Sequence, residues 1–475
     1  MRVAIIAEGS YPFVSGGVSS WIHTLITQMP EFDFTIISIM PGSSRTTTED
    51  WKYEIPVNGK SVKVYPLEVK EEKPVYPNLS AENKEDLLSF FLSKDQMGKA
   101  MRFLGNSDII GNPSGFFRSN EFWEIVQICY KEEKLQSSFI DYFWMIRNKY
   151  EPILHLLQSE FDDYDLLHAA STGYAGVIGA YLSVNQDIPL IVTEHGIYSR
   201  EREEEILKSD WIPMIYKSRW IQFFYFLSQL AYSQAEQLIT LFQKNALVQE
   251  QLGAAKSKQL VIANGVTLSN PSFNSMRFSV ENPIQLGAIV RVVPIKDIIT
   301  MIYAASMLRK RHIPFQLQIF GPLDEDEEYV RECRNLVEEL DLKEFVTFTG
   351  KINVQEKLVE IDVLLLTSIS EGQPLAILEG LAAGVPFVST NVGDCDELIT
   401  GGAIDLFGPA GFIVPPVNPR KIAESIEKYV EEPSLIELHG RHGFKRVQHR
   451  YQLSEVIERY RSLYKEVGRI KQWQE

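Results

Sequence analysis

Cysteine is scarce in this chain. Cys129, Cys333 and Cys395 are the full complement, far apart and never in a Cys-x-x-Cys pair. That excludes a zinc ribbon and a disulfide framework, and it fits a reducing compartment. Long apolar runs are missing as well. The densest, residues 220–232, is broken by Gln222, Ser228 and Gln229 and follows Lys217 and Arg219, so no membrane-spanning helix is expected. The opening run, Met1-Arg-Val-Ala-Ile-Ile-Ala, is too short for a signal peptide and leads straight into Glu8 and Gly9. A cytosolic location is the expectation. Positive charge is also short: Lys and Arg total 47 against 63 Asp and Glu, a formal net charge of -16. Residues 1–280 hold 25 basic and 33 acidic side chains and the remainder 22 and 30, so each half carries -8. Neither half offers the basic stripe that a nucleic-acid binder uses, and nucleic acid is not an expected partner.

What is present is a globular composition, 45% apolar and 23% charged over 475 residues. At roughly 100–200 residues per domain this makes two or three domains. Short apolar runs closed by turn residues predict buried parallel strands at 3–7, 34–39, 166–169, 190–193, 237–241 and 259–263. A helix is predicted at 18–29. Between about 71 and 160 the pattern turns helical and aromatic (Phe90, Phe91, Phe116, Phe117, Phe122, Trp123, Tyr142, Phe143, Trp144), which reads as a helical insertion; a second helical stretch covers 200–235. The polar stretch 267–283 reads as a linker. Strand–helix alternation then resumes, with strands at 284–290, 315–320, 346–349, 363–367 and 386–390 and helices at 297–309, 327–340 and 374–383. Two doubly wound α/β domains follow, with the carboxyl ends of their strands facing a cleft.

The strongest constellation of chemistry-bearing residues lies in the second domain. Glu371, Gly372, Gln373, Pro374 and Leu375 lead into a helix that carries Glu379, so two carboxylates stand eight positions apart directly after a strand. Pro374 suits the first helical turn. The free N–H groups at that helix start suit an anion. Arg291 and Lys296 follow the first strand of the same domain and would clamp a diphosphate. Each of these alone could be an ordinary surface charge. In the first domain, Gly16 and Gly17 precede a helix and remove side chains where a phosphate could approach. His195 ends a strand ahead of Gly196, and His168 ends an earlier one as a weaker candidate. Glu194 and Arg200-Glu-Arg202 read as a charged surface loop, with a place in the cleft lining as the alternative.

The ordered set Arg291, Lys296, Phe320-Gly321, Val346-Thr-Phe-Thr-Gly350, Glu371-x7-Glu379, Ala383-Gly-Val-Pro386 and Val392-Gly393, with Ser15-Gly-Gly-Val18 and Asn264-Gly-Val266, resembles the retaining GT-B glycosyltransferases of glycosyltransferase family 4. More narrowly, Glu8-Gly-Ser-Tyr-Pro, Thr193-Glu-His-Gly-Ile-Tyr-Ser-Arg-Glu-Arg202 and the large insertion are similar to the PelF group, the glycosyltransferases of the Pel exopolysaccharide system. The resemblance implies a GT-B fold. Its parts would be an acceptor-side Rossmann-like domain at 1–275, a nucleotide-sugar-binding domain at 282–454, and a helix at 455–475 crossing back to the first domain. It also implies roles. Arg291 and Lys296 bind the donor diphosphate and stabilise the leaving group. Glu379 holds the ribose hydroxyls, and Glu371 contacts the transferred sugar. His195 hydrogen-bonds that sugar near its reacting carbon, Gly16 and Gly17 admit the phosphates, and main chain near Lys351 and Ile352 meets the base.

No Asp-x-Asp pair ends a strand in the way a metal-dependent transferase requires; Asp162-Asp163-Tyr-Asp165 and Asp324-Glu-Asp326 read as solvated loops. That points to metal independence, and the resemblance implies retention; together the expectation is a metal-independent, cofactor-free, retaining transferase that moves a hexose from a nucleotide sugar, UDP-linked, onto a growing exopolysaccharide. The departing phosphate oxygen would take the acceptor proton. Integral-membrane Pel components are the expected protein partners, reached at the inner face of the membrane. The rival readings are a non-hydrolysing nucleotide-sugar epimerase and a nucleotide-sugar-binding scaffold of a membrane synthase. The aromatic stretch 211–227 reads as a buried helix, with an acceptor- or membrane-facing surface as its alternative.

Overall fold

In the computed structural model, which describes residues 1–42, 50–95, 97–134, 137–269, 271, 282–402 and 405–470, thirteen strands form two parallel sheets. The chain divides into two compact units, Met1–Ile262 with Arg459–Glu475, and Ala263–Glu458. Most of the expected linker, and the ends of the expected segments 1–275 and 455–475, lie outside the described residues.

The first unit holds β1 (Arg2–Glu8), β2 (Asp33–Met40), β3 (Gly59–Pro66), β4 (Leu166–Ala169), β5 (Leu190–Glu194), β6 (Gln237–Thr240) and β7 (Gln259–Val261). Their order in the sheet is β3-β2-β1-β4-β5-β6-β7. The apolar run of β1 is buried on both faces, Val3 to Ala7 all at 0% exposure, as helix-covered parallel strands require. β3 went unpredicted. Its residues alternate apolar and polar at the sheet edge, so no continuous apolar run marks it.

The aromatic stretch between β3 and β4 folds into helices, the longest being Asn120–Glu133 and Phe139–Leu157. Their aromatics build a core of their own around Phe90, Phe122, Tyr142 and Tyr150, into which Phe223, Phe226 and Leu230 of the helix Met214–Gln234 also pack. The expected burial of 211–227 therefore holds for its second half, whereas Trp211 and Met214 remain 75% and 78% exposed.

The second unit holds β8 (Ile284–Ile289), β9 (Phe315–Phe320), β10 (Val346–Gly350), β11 (Val363–Leu366), β12 (Phe387–Thr390) and β13 (Gly411–Val414), in the order β10-β9-β8-β11-β12-β13. β13, a four-residue edge strand, also escaped the sequence reading. The final helix, Leu453–Ile470, starts two residues before its predicted position, and from Arg459 onward it belongs to the first unit, where Arg461 pairs with Glu31. All three cysteines are buried, Cys129 in the aromatic core and Cys333 and Cys395 in the core of the second unit.

Candidate active site

The second sheet reverses its order between β8 and β11: β9 and β10 extend one way and β12 and β13 the other. Such a reversal opens a crevice at the carboxyl ends of the two strands, the usual ligand position in a doubly wound sheet. Lys296 leaves β8 on a short turn, Pro294–Lys296, and Glu371 follows β11. The two loops are stitched together. The Thr367 hydroxyl donates to the carbonyls of Lys296 and Asp297, both at 3.0 Å, and the Ile369 N–H donates to the Ile295 carbonyl at 2.9 Å. Lys296 Nζ thus lies 2.5 Å from Glu371 Oε1, with the two side chains only 16% and 10% exposed. The Ser368 hydroxyl donates to the same oxygen at 2.6 Å.

Beyond Glu371 the chain enters the helix Leu375–Ala382, whose start bears no side-chain cap. Pro374 is the residue before the first turn rather than within it, because its ψ of 119° is extended. The N–H groups that open the helix therefore lack a side-chain acceptor, and the dipole end is positive. One turn on, Glu379 is exposed, and among the described residues its carboxylate has neither a hydrogen bond nor an ion pair. Desolvation by nearby protein raises its pKa. Gly372 and Gly393 close this loop from behind: the Asp394 N–H donates to the Gly372 carbonyl at 2.9 Å. Gly393 has φ +53°, and a Cβ there would stand 2.2 Å from the Glu371 carbonyl oxygen, so glycine is required.

The sequence-predicted set is not uniform. Gln373 is buried and used internally: its Oε1 accepts from the Asn264 N–H at 2.6 Å and its Nε2 donates to Asp394 at 2.7 Å. Its side chain holds the loop rather than a ligand. Leu375 packs on the core. Arg291 does not join the Lys296–Glu371 pair. It is half-exposed and ion-paired with Glu325 at 2.7 Å. The turn that carries it is set by Gly321, where a Cβ would meet the Val290 carbonyl at 1.9 Å. Lys351 and Ile352 follow the edge strand β10, with Lys351 exposed and Ile352 packed on the core. Of the two expected loop motifs, Asp326 caps the helix Glu327–Glu339, and Asp162 pairs with Lys63.

In the first unit, Gly16 and Gly17 start the helix Gly17–Gln28, again without a side-chain cap. A Cβ at either position would meet nothing within 4 Å, so no crowding inside the fold requires glycine there. His195 lies 4.6 Å from Trp21, ring to ring and edge-on. Burial holds its pKa down at about 4, and its Nε2 is shielded without a partner among the described residues. His168 has both ring nitrogens engaged, by Tyr464 at 2.6 Å and Thr193 at 2.7 Å, so it serves the core.

Glu194 corrects the surface-loop reading. It is 1% exposed and accepts from Thr172, Tyr198 N–H, Tyr232 and Gln249. Glu8, at the end of β1, accepts from the Tyr174 N–H and the Tyr198 hydroxyl. Burial raises the pKa of both carboxyls. Sequence reasoning missed this network. The available signal was two acidic residues closing apolar strands, a costly position unless well hydrogen-bonded.

Residues 1–257 match the model of a domain of unknown function, DUF3492, and residues 275–445 match glycosyl transferases group 1. Over 191 residues the chain is 25% identical to the putative colanic acid biosynthesis glycosyltransferase WcaL of Escherichia coli, covering 38% of this chain and 44% of the relative. The chain spans less than half the length of the first curated relatives it matches. Among solved structures, Anabaena HepE in complex with UDP superposes with a TM-score of 0.61 at 16% identity over 98% of this chain and 100% of that one. Sucrose-phosphate synthase from Thermosynechococcus elongatus gives 0.62 at 15% identity over 98% of both chains. Its two parallel-sheet units have the GT-B fold of these solved structures, residues 275–445 match the model of glycosyl transferases group 1, and the chain belongs to the DUF3492 family.

Proposed function

We propose that this chain transfers a hexose unit from a UDP-linked sugar to a growing exopolysaccharide of the Pel type, with retention of configuration and without a metal ion or cofactor. The observation that carries the donor half of the reading is the Lys296–Glu371 pair at the strand reversal, beside an uncapped helix start and the unpaired Glu379 carboxylate. An uncapped helix N-terminus and an ammonium group complement a diphosphate, and an unpaired carboxylate one turn on suits the hydroxyls of a ribose. Solved neighbours that hold UDP, UDP with glucose, and UDP-glucose support the same donor class. Relatives named for colanic acid and capsular polysaccharide biosynthesis support a polysaccharide acceptor.

In this mechanism Lys296 and the helix N–H groups neutralise the charge that develops on the leaving diphosphate, and Arg291 exchanges Glu325 for phosphate. Aimed charge of this kind in a shielded site is worth several kcal/mol, on the order of 3 for one lost donor. Glu371 lies against the sugar as it gains positive character. The departing phosphate oxygen takes the acceptor proton, so no protein nucleophile is needed. Within the first unit, His195 is neutral at physiological pH and the helix start at Gly16 and Gly17 is uncapped. No helix among the described residues is long and apolar enough to cross a membrane; contact with integral-membrane Pel components would be through protein surfaces.

Incubation of the chain with UDP-glucose and UDP-N-acetylhexosamines, with oligosaccharide acceptors and excess chelator, tests this. The expected outcome is UDP release that depends on acceptor, with a product linkage of the donor's anomeric configuration. Failure to release UDP from every donor, or an absolute need for magnesium or manganese, overturns the proposal.

A further inference from the structure

A cavity of about 430 Å³ opens in the first unit and shares no residue with the sites above. One wall is a stripe of the helix Phe139–Leu157, where Asp141, Trp144 and Asn148 recur at one-turn spacing. The other is built from Trp211 and from Tyr216 and Trp220 of the helix Met214–Gln234. Trp211 is 75% and Trp144 50% exposed, a large apolar ring area left to water. The rings are nonetheless held in place: the Arg147 guanidinium sits 5.3 Å from the Trp144 ring, and Trp211 meets Trp220 edge-on at 6.3 Å. Tyr216 is 5% exposed, and its hydroxyl has no partner among the described residues; the hydroxyl of Ser137, also in the lining, has none either. Buried hydroxyls without partners are costly, and these two belong to residues of the cavity wall, where a ligand that reached them would complete them.

We infer that this cavity binds a segment of saccharide chain apart from the donor site, an inference that rests on the polysaccharide-transferase reading. Exposed aromatic platforms offer stacking faces to the C–H surfaces of sugar rings, while Asp141, Asn148 and the free hydroxyls match their polar edges. The lining chemistry disfavours an anionic lipid surface. No lysine or arginine lines the cavity. The nearby cations are committed elsewhere: Lys217 donates to the Leu207 and Ser209 carbonyls, Arg219 pairs with Glu133, and Arg147 pairs with Glu151. With Asp141 the sole charged group in the lining, neutral and amino sugars fit and uronates are repelled.

The test titrates the full chain, saturated with UDP, with cellopentaose, maltopentaose and chitopentaose, read by tryptophan fluorescence and calorimetry. At least one oligosaccharide should bind saturably. Trp144→Ala and Trp211→Ala should each weaken it about tenfold, and Tyr216→Phe should weaken it by a smaller factor. Far-ultraviolet circular dichroism and UDP affinity should stay as in the wild type. No binding of any of the three at millimolar concentration overturns the inference, as does binding that survives both tryptophan substitutions. Attachment to phosphatidylglycerol vesicles that is lost in the tryptophan variants, without oligosaccharide binding, overturns it in favour of a membrane-facing role. The UDP titration separates the two proposals. UDP binding without oligosaccharide binding removes only the cavity assignment, whereas tryptophan-dependent oligosaccharide binding without UDP binding removes the donor reading.

Discussion

Glu371 and Glu379 stand two helical turns apart in sequence and meet different surroundings. Glu371 is largely buried against Lys296 and Ser368, and Glu379 is exposed and unpaired. Uniform contacts change affinity, whereas contacts that strengthen in the transition state change turnover. Glu379→Gln should therefore weaken UDP binding, and Glu371→Gln should lower turnover with UDP affinity nearly kept; calorimetry beside steady-state kinetics reads both. The Lys296–Glu371 pair has a stability signature as well. Lys296→Met leaves a mostly buried carboxylate without its counter-charge and should cost about 3 kcal/mol in urea unfolding, much of which the double variant Lys296→Met/Glu371→Gln should restore. Full additivity of the two single substitutions would show that the pair is not coupled. The spacing of the carboxylates was legible in the sequence because it is local. The use of Gln373 was not, since its partner Asn264 is 109 positions away. Glu194 was misread for a related reason: its four partners come from residues scattered between Thr172 and Gln249.

At the scale of elements, the central strands declared themselves through continuous apolar runs, and the edge strands β3 and β13 did not. A half-exposed edge needs only alternation or a few residues, which irregular chain also shows. The start of the helix Leu375–Ala382 was placed one residue early because proline fixes φ but leaves ψ free, and Pro374 takes the extended value. That element depends on Gly393 behind it. Gly393→Ala should cost about 2 kcal/mol from the left-handed backbone alone, and the clash with the Glu371 carbonyl should displace the loop and lower UDP affinity. A variant as stable as the wild type, with unchanged UDP binding, would show that the loop is set by other contacts.

For the whole molecule, buried histidines should lower stability in acid. Burial lowers His168 to about 3 and His195 and His439 to about 4, below the ordinary value near 6.5. A depressed histidine contributes its full stability above the unfolded value and loses it progressively as pH falls toward the folded one. Glu8 and Glu194 have raised values and act in the opposite sense, gaining relative stability as pH falls. The clean measurement is a difference: in His168→Gln, the stability lost between about pH 7.5 and about pH 5.5 should be smaller than in the wild type by about 1 kcal/mol. An identical pH slope would mean that His168 titrates in the fold as it does in the unfolded chain. The cysteines carry a separate consequence. Burial pushes the thiols of Cys129, Cys333 and Cys395 up to about 12, and only a thiolate attacks a disulfide reagent. The native chain should thus be almost silent toward such reagents, and every thiol titrated under native conditions records an opening event. Peptide mapping of the labelled site would then report which half breathed, Cys129 speaking for the insertion and the other two for the second unit, with no engineered probe.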